Sequence, residues 1–148
     1  MPSTRTGLHY HLIFATKNRE PLISDDWRTR LHAYLGGTVG GLEGVPQAIG
    51  GVADHVHLLV SLKPTHCLAD FVRDLKKASS TWAAVASRKH RFQWQEGYAA
   101  FTVSPSARAA VQKYIEQQEE HHRHQSLREE LIEFLQKSGI EYDERYLD

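Results

Sequence analysis

A chain of 148 residues with 41% hydrophobic and 24% charged residues has the composition of one globular domain, which excludes a disordered or fibrous protein. It contains no apolar run of the roughly 20 residues that a membrane-spanning helix needs, and its N-terminus lacks the apolar core of a secretory signal. Cys67 is the only cysteine, which excludes an internal disulfide and a cysteine-based zinc site. We therefore expect a cytoplasmic protein with no membrane partner, comprising a core over about residues 1–124 and a C-terminal helix and acidic tail over 125–148.

The formal net charge is zero, whereas nucleic-acid-binding proteins usually carry a basic surface. The charges are unevenly distributed, because the segment 66–91 is mainly basic and the C-terminal part is acidic. A basic middle segment is compatible with a DNA-facing surface. An ordinary solvated helix face would give the same pattern.

The first elements predicted along the chain are a strand and a helix. Residues 8–15 alternate in polarity with a period of two, which is typical of a strand. Ser24 is a suitable N-cap for a following helix. We expect that helix to end in a turn-rich connection formed by Gly36, Gly37, Gly40, Gly41 and Gly44.

The next two apolar stretches predict a β-hairpin. They cover residues 45–52 and 55–62, with a turn at Asp54 between them. Gly50 and Gly51 lie in the first stretch and indicate a bend or a close backbone approach.

The remaining elements complete a known topology. A long helix is predicted from about 68 to 89, a short strand over 98–103, a helix from Pro105 to about 122, and a last helix over 126–137. The order β-α-β-β-α-β, followed by two helices, predicts an α+β, ferredoxin-like (RRM-like) fold. Such a fold has a four-stranded antiparallel sheet with helices on one face, to which the C-terminal helices are added.

The segment His55-Val56-His57 is the strongest candidate for a functional site. Residues i and i+2 of a strand point to the same face, so the two imidazoles project together. A buried unpaired polar group costs about 1–3 kcal/mol, and a shared metal ion would remove that cost. Two hydrogen-bonded histidines at a sheet edge would also explain the pattern.

Tyr114 and Gln118 form a second candidate pair, four residues apart in a predicted helix. Side chains at this spacing lie one above the other on the helix surface. The pair is equally typical of a half-buried tyrosine with a polar neighbour. It indicates chemistry only in combination with the histidines.

In combination, these motifs resemble the single-tyrosine transposases of the IS200/IS605 insertion sequences, which belong to the HUH endonucleases. The resemblance runs from the first strand and its exit, Thr16-Lys17-Asn18-Arg19, to Gln118 and slightly beyond. Its further landmarks are DHVHLLV at 54–60, LKKASS at 75–80, WQEGY at 94–98 and VQKYIEQQ at 111–118.

This resemblance implies a catalytic domain that cleaves and rejoins single-stranded DNA with hairpin-containing ends. It implies that Tyr114 is the nucleophile and forms a phosphotyrosine linkage. It also implies that His55, His57 and Gln118 hold a divalent cation, Mg²⁺ or Mn²⁺. The family forms obligate homodimers and often completes each active site with the tyrosine helix of the other subunit.

Single-strand recognition combines cationic grooves with aromatic stacking, and the central segment offers both. We expect Arg73, Lys76 and Lys77 to contact phosphates, and Trp94 and Tyr98 to stack on bases.

Two further histidines are additional site candidates. His122 lies four residues beyond Gln118, although it belongs to a histidine-rich run that would also suit an exposed surface. His11 lies on the first strand, so it lines the same site if that strand neighbours His55.

Two other functions stay open from the sequence. One is a metal-dependent nuclease or phosphodiesterase that uses the histidines while Tyr114 is structural. The other is a non-catalytic ferredoxin-like module that binds RNA or DNA on its sheet. A domesticated relative acting on repeats of its host would use the same chemistry as a transposase.

Overall fold

A four-stranded antiparallel sheet forms the centre of the computed structural model, which describes residues 3–88 and 91–147. Its strands are β1 (His9–Ala15), β2 (Val45–Gly51), β3 (His55–Ser61) and β4 (Ala99–Val103), in the order β2-β3-β1-β4. The element order and the antiparallel pairing confirm the predicted ferredoxin-like fold, including the hairpin of β2 and β3.

One face of the sheet is covered by α1 (Asp25–Gly41) and α2 (Leu68–Ala86). Alternate residues of β1 and β3 point to this face, because side chains alternate along a strand. They pack with the apolar stripes of both helices into the main core, whose strand residues include Leu12, Phe14, Val56, Leu58 and Val60. The predicted end of α2 at Lys89 lies outside the described residues.

The first helix extends further than predicted, because Gly36, Gly37 and Gly40 lie inside α1, which ends at Gly41. Leu31, Leu35 and Val39 form a fully buried stripe along this helix. Each interior glycine costs only about 1 kcal/mol of helix stability, which burial of one aliphatic side chain offsets. Leu42 is the C-cap of the helix, and Glu43 after it has a positive φ of 69°.

The opposite face of the sheet is covered by the C-terminal helices α3 (Arg108–Glu116), α4 (Gln118–His121) and α5 (Leu127–Lys137). Ile115 of α3 packs against Leu59 of β3, and Leu127 of α5 packs against Ile13 and Phe101. Both faces of the sheet are therefore covered. None of the described helices is long and apolar enough to cross a membrane.

The helix predicted from Pro105 to about His122 is divided in the structure. It begins with a 3-10 turn over Pro105–Ala107, continues as α3, and breaks at Gln117, where φ is −102° and ψ is 20°. The last turn of α3 rests directly on β2, since a Cβ atom on Gly50 would lie 2.2 Å from the carbonyl oxygen of Ile115. The break after this contact allows both Ile115 and Gln118 to be buried.

Candidate active site and metal centre

β3 carries His55 and His57 on the face that the C-terminal helices cover, and both side chains are fully buried. His57 lies opposite Ile13 of β1 and Gly50 of β2, and His55 lies opposite Ala15. These sheet neighbours offer no polar side chain. The partners of the imidazoles must come from elsewhere, because burying an unpaired polar group is unfavourable.

A polar side chain contacts the Nδ1 atom of each imidazole. Asp54 Oδ1 lies 2.8 Å from Nδ1 of His55, and His11 Nε2 lies 2.8 Å from Nδ1 of His57. Partners of this kind fix the orientation and the tautomer of a ring. The structure thus places His11, a candidate from the sequence, beside His57, and leaves both Nε2 atoms facing the C-terminal helices.

The C-terminal segment supplies the polar atoms that meet these Nε2 atoms. Gln118 is 1% exposed, and its Oε1 lies 3.4 Å from Nε2 of His55. Nε2 of His122 lies 3.0 Å from the same nitrogen. On α5, the fully buried Glu130 places Oε1 2.9 Å from Nε2 of His57.

The hydroxyl group of Tyr114 lies at the edge of this cluster. It donates a hydrogen bond to Oε2 of Glu130 and lies 3.0 Å from Nε2 of His121. The ring centroids of Tyr114 and His57 are 5.8 Å apart. The tyrosine, the amide and the two histidines of β3 therefore converge within one polypeptide.

Burial and hydrogen bonding set the charges of the cluster. Burial lowers the pKa of His57 to about 4, against the opposing effect of the Glu130 carboxylate, and it lowers the pKa of His11 to about 3. Burial alone would raise the pKa of Glu130, but hydrogen bonds with His122 and His57 bring this pKa well below its ordinary value. Burial and the bond to Glu130 raise the pKa of the Tyr114 hydroxyl. At neutral pH, Glu130 is thus an anion and Tyr114 is protonated.

The cluster fits a divalent cation. One potential ligand atom from each of four residues lies within 4.8 Å of the other three, these residues being His55, His57, His122 and Glu130. Ligands about 2.1 Å from one ion lie roughly 3.0–3.5 Å from their neighbours in the shell. The contacts among these atoms and the Gln118 amide range from 2.9 to 3.8 Å. Imidazole and carboxylate are common ligands of divalent transition metals, so this group can bind a metal ion.

The prediction that Trp94 stacks on bases is contradicted by its burial. Trp94 is 8% exposed, its ring packs edge-on against Phe14, and its Nε1 donates a hydrogen bond to Ser79 Oγ at 2.9 Å. Tyr98, in contrast, is 38% exposed. Trp94 is a core residue, whereas Tyr98 is partly exposed and has Lys76 Nζ 5.8 Å from the centre of its ring.

The basic residues of α2 lie on the helix that covers the other face of the sheet from the histidines. Lys76 donates hydrogen bonds to the carbonyl oxygens of Gln95, at 2.9 Å, and Gly97, at 2.6 Å. Burial lowers the pKa of Lys76 to about 8. Its ammonium group therefore anchors the loop before β4, contrary to the expectation that it contacts phosphates. Arg73 and Lys77 are exposed, although Arg73 already forms ion pairs with neighbouring aspartates.

Glu130 is the residue of this cluster that the sequence interpretation missed, because it was assigned to a generally acidic tail. The sequence contains a signal for this residue. An apolar stripe at helical spacing runs through Leu127, Leu131 and Phe134. Glu130 lies on that stripe. An acidic residue within an apolar stripe requires a buried partner. His121, which contacts the Tyr114 hydroxyl, was also not singled out.

Known proteins resemble this chain over most of its length. The family model of IS200-like transposases matches residues 4–118. The ISDra2 transposase TnpA of Deinococcus radiodurans is 35% identical in a 119-residue alignment that covers 75% of this chain and 84% of that relative.

Solved structures show the same fold. A crystal structure described as a transposase of Deinococcus radiodurans R1 has a TM-score of 0.66 and 32% identity, covering 80% of this chain and 95% of that one. A REP-associated tyrosine transposase bound to a REP hairpin has a TM-score of 0.56 at 15% identity, covering 79% and 72%; this second likeness concerns the fold alone. On the family match and the identity to TnpA, the chain belongs to the IS200-like transposases and is a metal-dependent DNA transposase of the single-tyrosine type.

Proposed function

We propose that this transposase cleaves and rejoins single-stranded DNA through a covalent bond to Tyr114, with a divalent cation held by His55, His57 and Gln118. The observation that carries this proposal is the convergence of the Tyr114 hydroxyl with the imidazoles of β3 around one buried carboxylate. Family membership supports it, and disfavours the alternative of a non-catalytic binding module.

In the proposed reaction, the Tyr114 oxygen attacks the phosphorus of the scissile phosphodiester. A Tyr–phosphate bond forms, the phosphorus bond to one sugar oxygen breaks, and that oxygen leaves as a hydroxyl group with the proton that the phenol releases. The phenol proton passes to a hydrogen-bonded neighbour: Oε2 of Glu130 accepts the hydrogen bond of the hydroxyl, and Nε2 of His121 lies 3.0 Å from the hydroxyl oxygen. The covalent linkage conserves the energy of the phosphodiester bond, so reversal of the same steps rejoins a strand.

The cation, when bound, polarises the scissile phosphate and stabilises the charge that develops on it. Asp54 and His11 hold the two imidazoles so that Nε2 of each is available as a ligand. We propose Mn²⁺ or Mg²⁺ as the physiological ion. Mn²⁺ is expected to bind more tightly, because imidazole suits transition metals better than it suits Mg²⁺.

We further propose hairpin-containing single strands as the substrate, the class of ligand bound by the REP-associated relative of the same fold. Arg73, Lys77 and Tyr98 are the exposed candidates for DNA contacts. Residues 1–148 would act as one catalytic unit, since α5 packs directly on the sheet. We also propose that the chain forms a homodimer. In that homodimer, Tyr114 of one subunit can serve the active site of the other, as well as the site of its own chain.

The proposal is tested with labelled single-stranded oligonucleotides, Mn²⁺ and a denaturing gel. The unmodified chain should form a protein–DNA adduct, and Tyr114→Phe should form none while it still binds Mn²⁺. Tyr34→Phe is the matched control, because Tyr34 stacks on Trp82 in the layer of α1 and α2 on the other face; it should form the adduct normally. Strand cleavage that persists in Tyr114→Phe would instead establish a metal-dependent nuclease that does not use the tyrosine.

A further inference from the structure

The region beyond residue 118, which the family match does not include, contributes two side chains to the centre of the site. His122 follows α4 and its side chain is 11% exposed, while Glu130 of α5 is fully buried. Both contact the histidines of β3. A segment that is extra to the matched region thus reaches the position where the proposed cation binds.

We propose that Glu130 and His122 are themselves ligands of the cation, so that they complete its shell together with His55, His57 and Gln118. This inference rests on the proposed metal site and deepens it. It predicts a cation site with one anionic ligand and three imidazoles, a set that suits Mn²⁺ and other transition metals better than Mg²⁺.

The two oxygens of Glu130 have different surroundings, which supports this assignment. Oε1 lies 2.9, 3.4 and 3.8 Å from Nε2 of His57, His122 and His55. Oε2 instead accepts a hydrogen bond from Tyr114 and lies 3.3 Å from the Gln118 amide nitrogen. One carboxylate can therefore bind the cation through Oε1 and hold the hydroxyl of the tyrosine through Oε2.

The charge of the cluster supports the assignment as well. A fully buried carboxylate is strongly unfavourable unless it is paired, and Glu130 is 0% exposed. The side chains that contact it include imidazoles, an amide and a phenol, none of which carries a permanent positive charge. A divalent cation at the junction of the three Nε2 atoms would supply that charge, and an anionic ligand would strengthen its binding.

The test measures Mn²⁺ affinity by calorimetric titration without DNA, in the full chain and in two pairs of variants. Glu130→Gln keeps the shape of the side chain and removes its charge, with Glu133→Gln as the control, an exposed residue one turn later on α5. His122→Gln is paired with His124→Gln, whose side chain is 79% exposed. We expect Glu130→Gln and His122→Gln to weaken Mn²⁺ binding by at least the roughly 10- to 100-fold typical of lost outer-shell partners, and both controls to bind normally.

Electron spin echo measurements on bound Mn²⁺ give a second readout, independent of affinity and activity. The full chain and Glu133→Gln should show three directly bound imidazole nitrogens, and His122→Gln should show two. Unchanged affinity in both Glu130→Gln and His122→Gln, with only two imidazoles in the unmodified chain, would overturn the inference. Adduct formation by the unmodified chain is scored separately, so the proposed function stands if the adduct forms while these ligand tests fail. If Glu130→Gln does not fold, the His122→Gln pair decides the question.

Discussion

On the face covered by α1 and α2, the central strands present apolar side chains such as Leu12, Phe14 and Leu58, all fully buried. On the opposite face the same strands present His11, His55 and His57, which are equally buried. The first face stabilises the fold through removal of apolar surface from water. The second face contains polar groups that are tolerated only because other polar groups meet them.

This difference explains why the C-terminal helices matter to the site. Without α3, α4 and α5, the histidine face would be open to water, and its hydrogen bonds would be weakened by solvent. The helices contribute apolar contacts at Ile115 and Leu127 and, between those contacts, the polar atoms of the site. Substitutions on the two faces should therefore separate stability from metal binding.

The largest effect on stability is expected for Leu58→Ala on the apolar face. Leu58 is 0% exposed and belongs to the main core, so its truncation leaves a cavity that costs about 2–5 kcal/mol of unfolding free energy. Chemical denaturation should show this loss, while Mn²⁺ affinity below the unfolding transition stays within about twofold, a range under 0.5 kcal/mol. A large loss of Mn²⁺ affinity would show that metal binding on one face depends on packing on the other.

A smaller loss of stability, combined with a weaker metal site, is expected for Gly50→Ala. The added methyl group would lie 2.2 Å from the carbonyl oxygen of Ile115, so α3 must shift away from β2. We expect a loss of about 1–3 kcal/mol from this overpacking. Because α3 leads directly into Gln118, titration should also show weaker Mn²⁺ binding; normal binding would contradict the role of this contact in positioning the segment.

The smallest effect, and one of opposite sign, is expected for Gly37→Ala in α1. A Cβ atom at Gly37 would meet none of the described atoms within 4 Å, and the position lies inside a helix. Replacement by alanine should raise the unfolding free energy by about 0.5–1 kcal/mol. Mn²⁺ affinity should not change, which makes this variant the matched control for Gly50→Ala, and thermal unfolding measures the gain.

Part of the site could be predicted because the face on which the two strand histidines lie depends only on local backbone geometry. The spacing of His55 and His57 places both imidazoles on one face of any strand, and the structure has them there. The four-residue spacing of Tyr114 and Gln118 does not by itself place them in the site, because the helix breaks between them. Their proximity to the histidines comes from the packing of α3 on β2. Trp94 could not be assigned from sequence, because an aromatic residue suits a stacking surface and a core equally well.

The sequence by itself determined the order of the elements, the alternation that divides each strand between two faces, and the residues of the family motif. These depend on short periodicities and on the geometry of neighbouring residues. Only the tertiary structure decided that α1 runs through its glycines, that Lys76 anchors a loop, and that Glu130 enters the histidine cluster. Each of these depends on which distant surface a side chain meets, because burial against a partner outweighs the local preference of the chain.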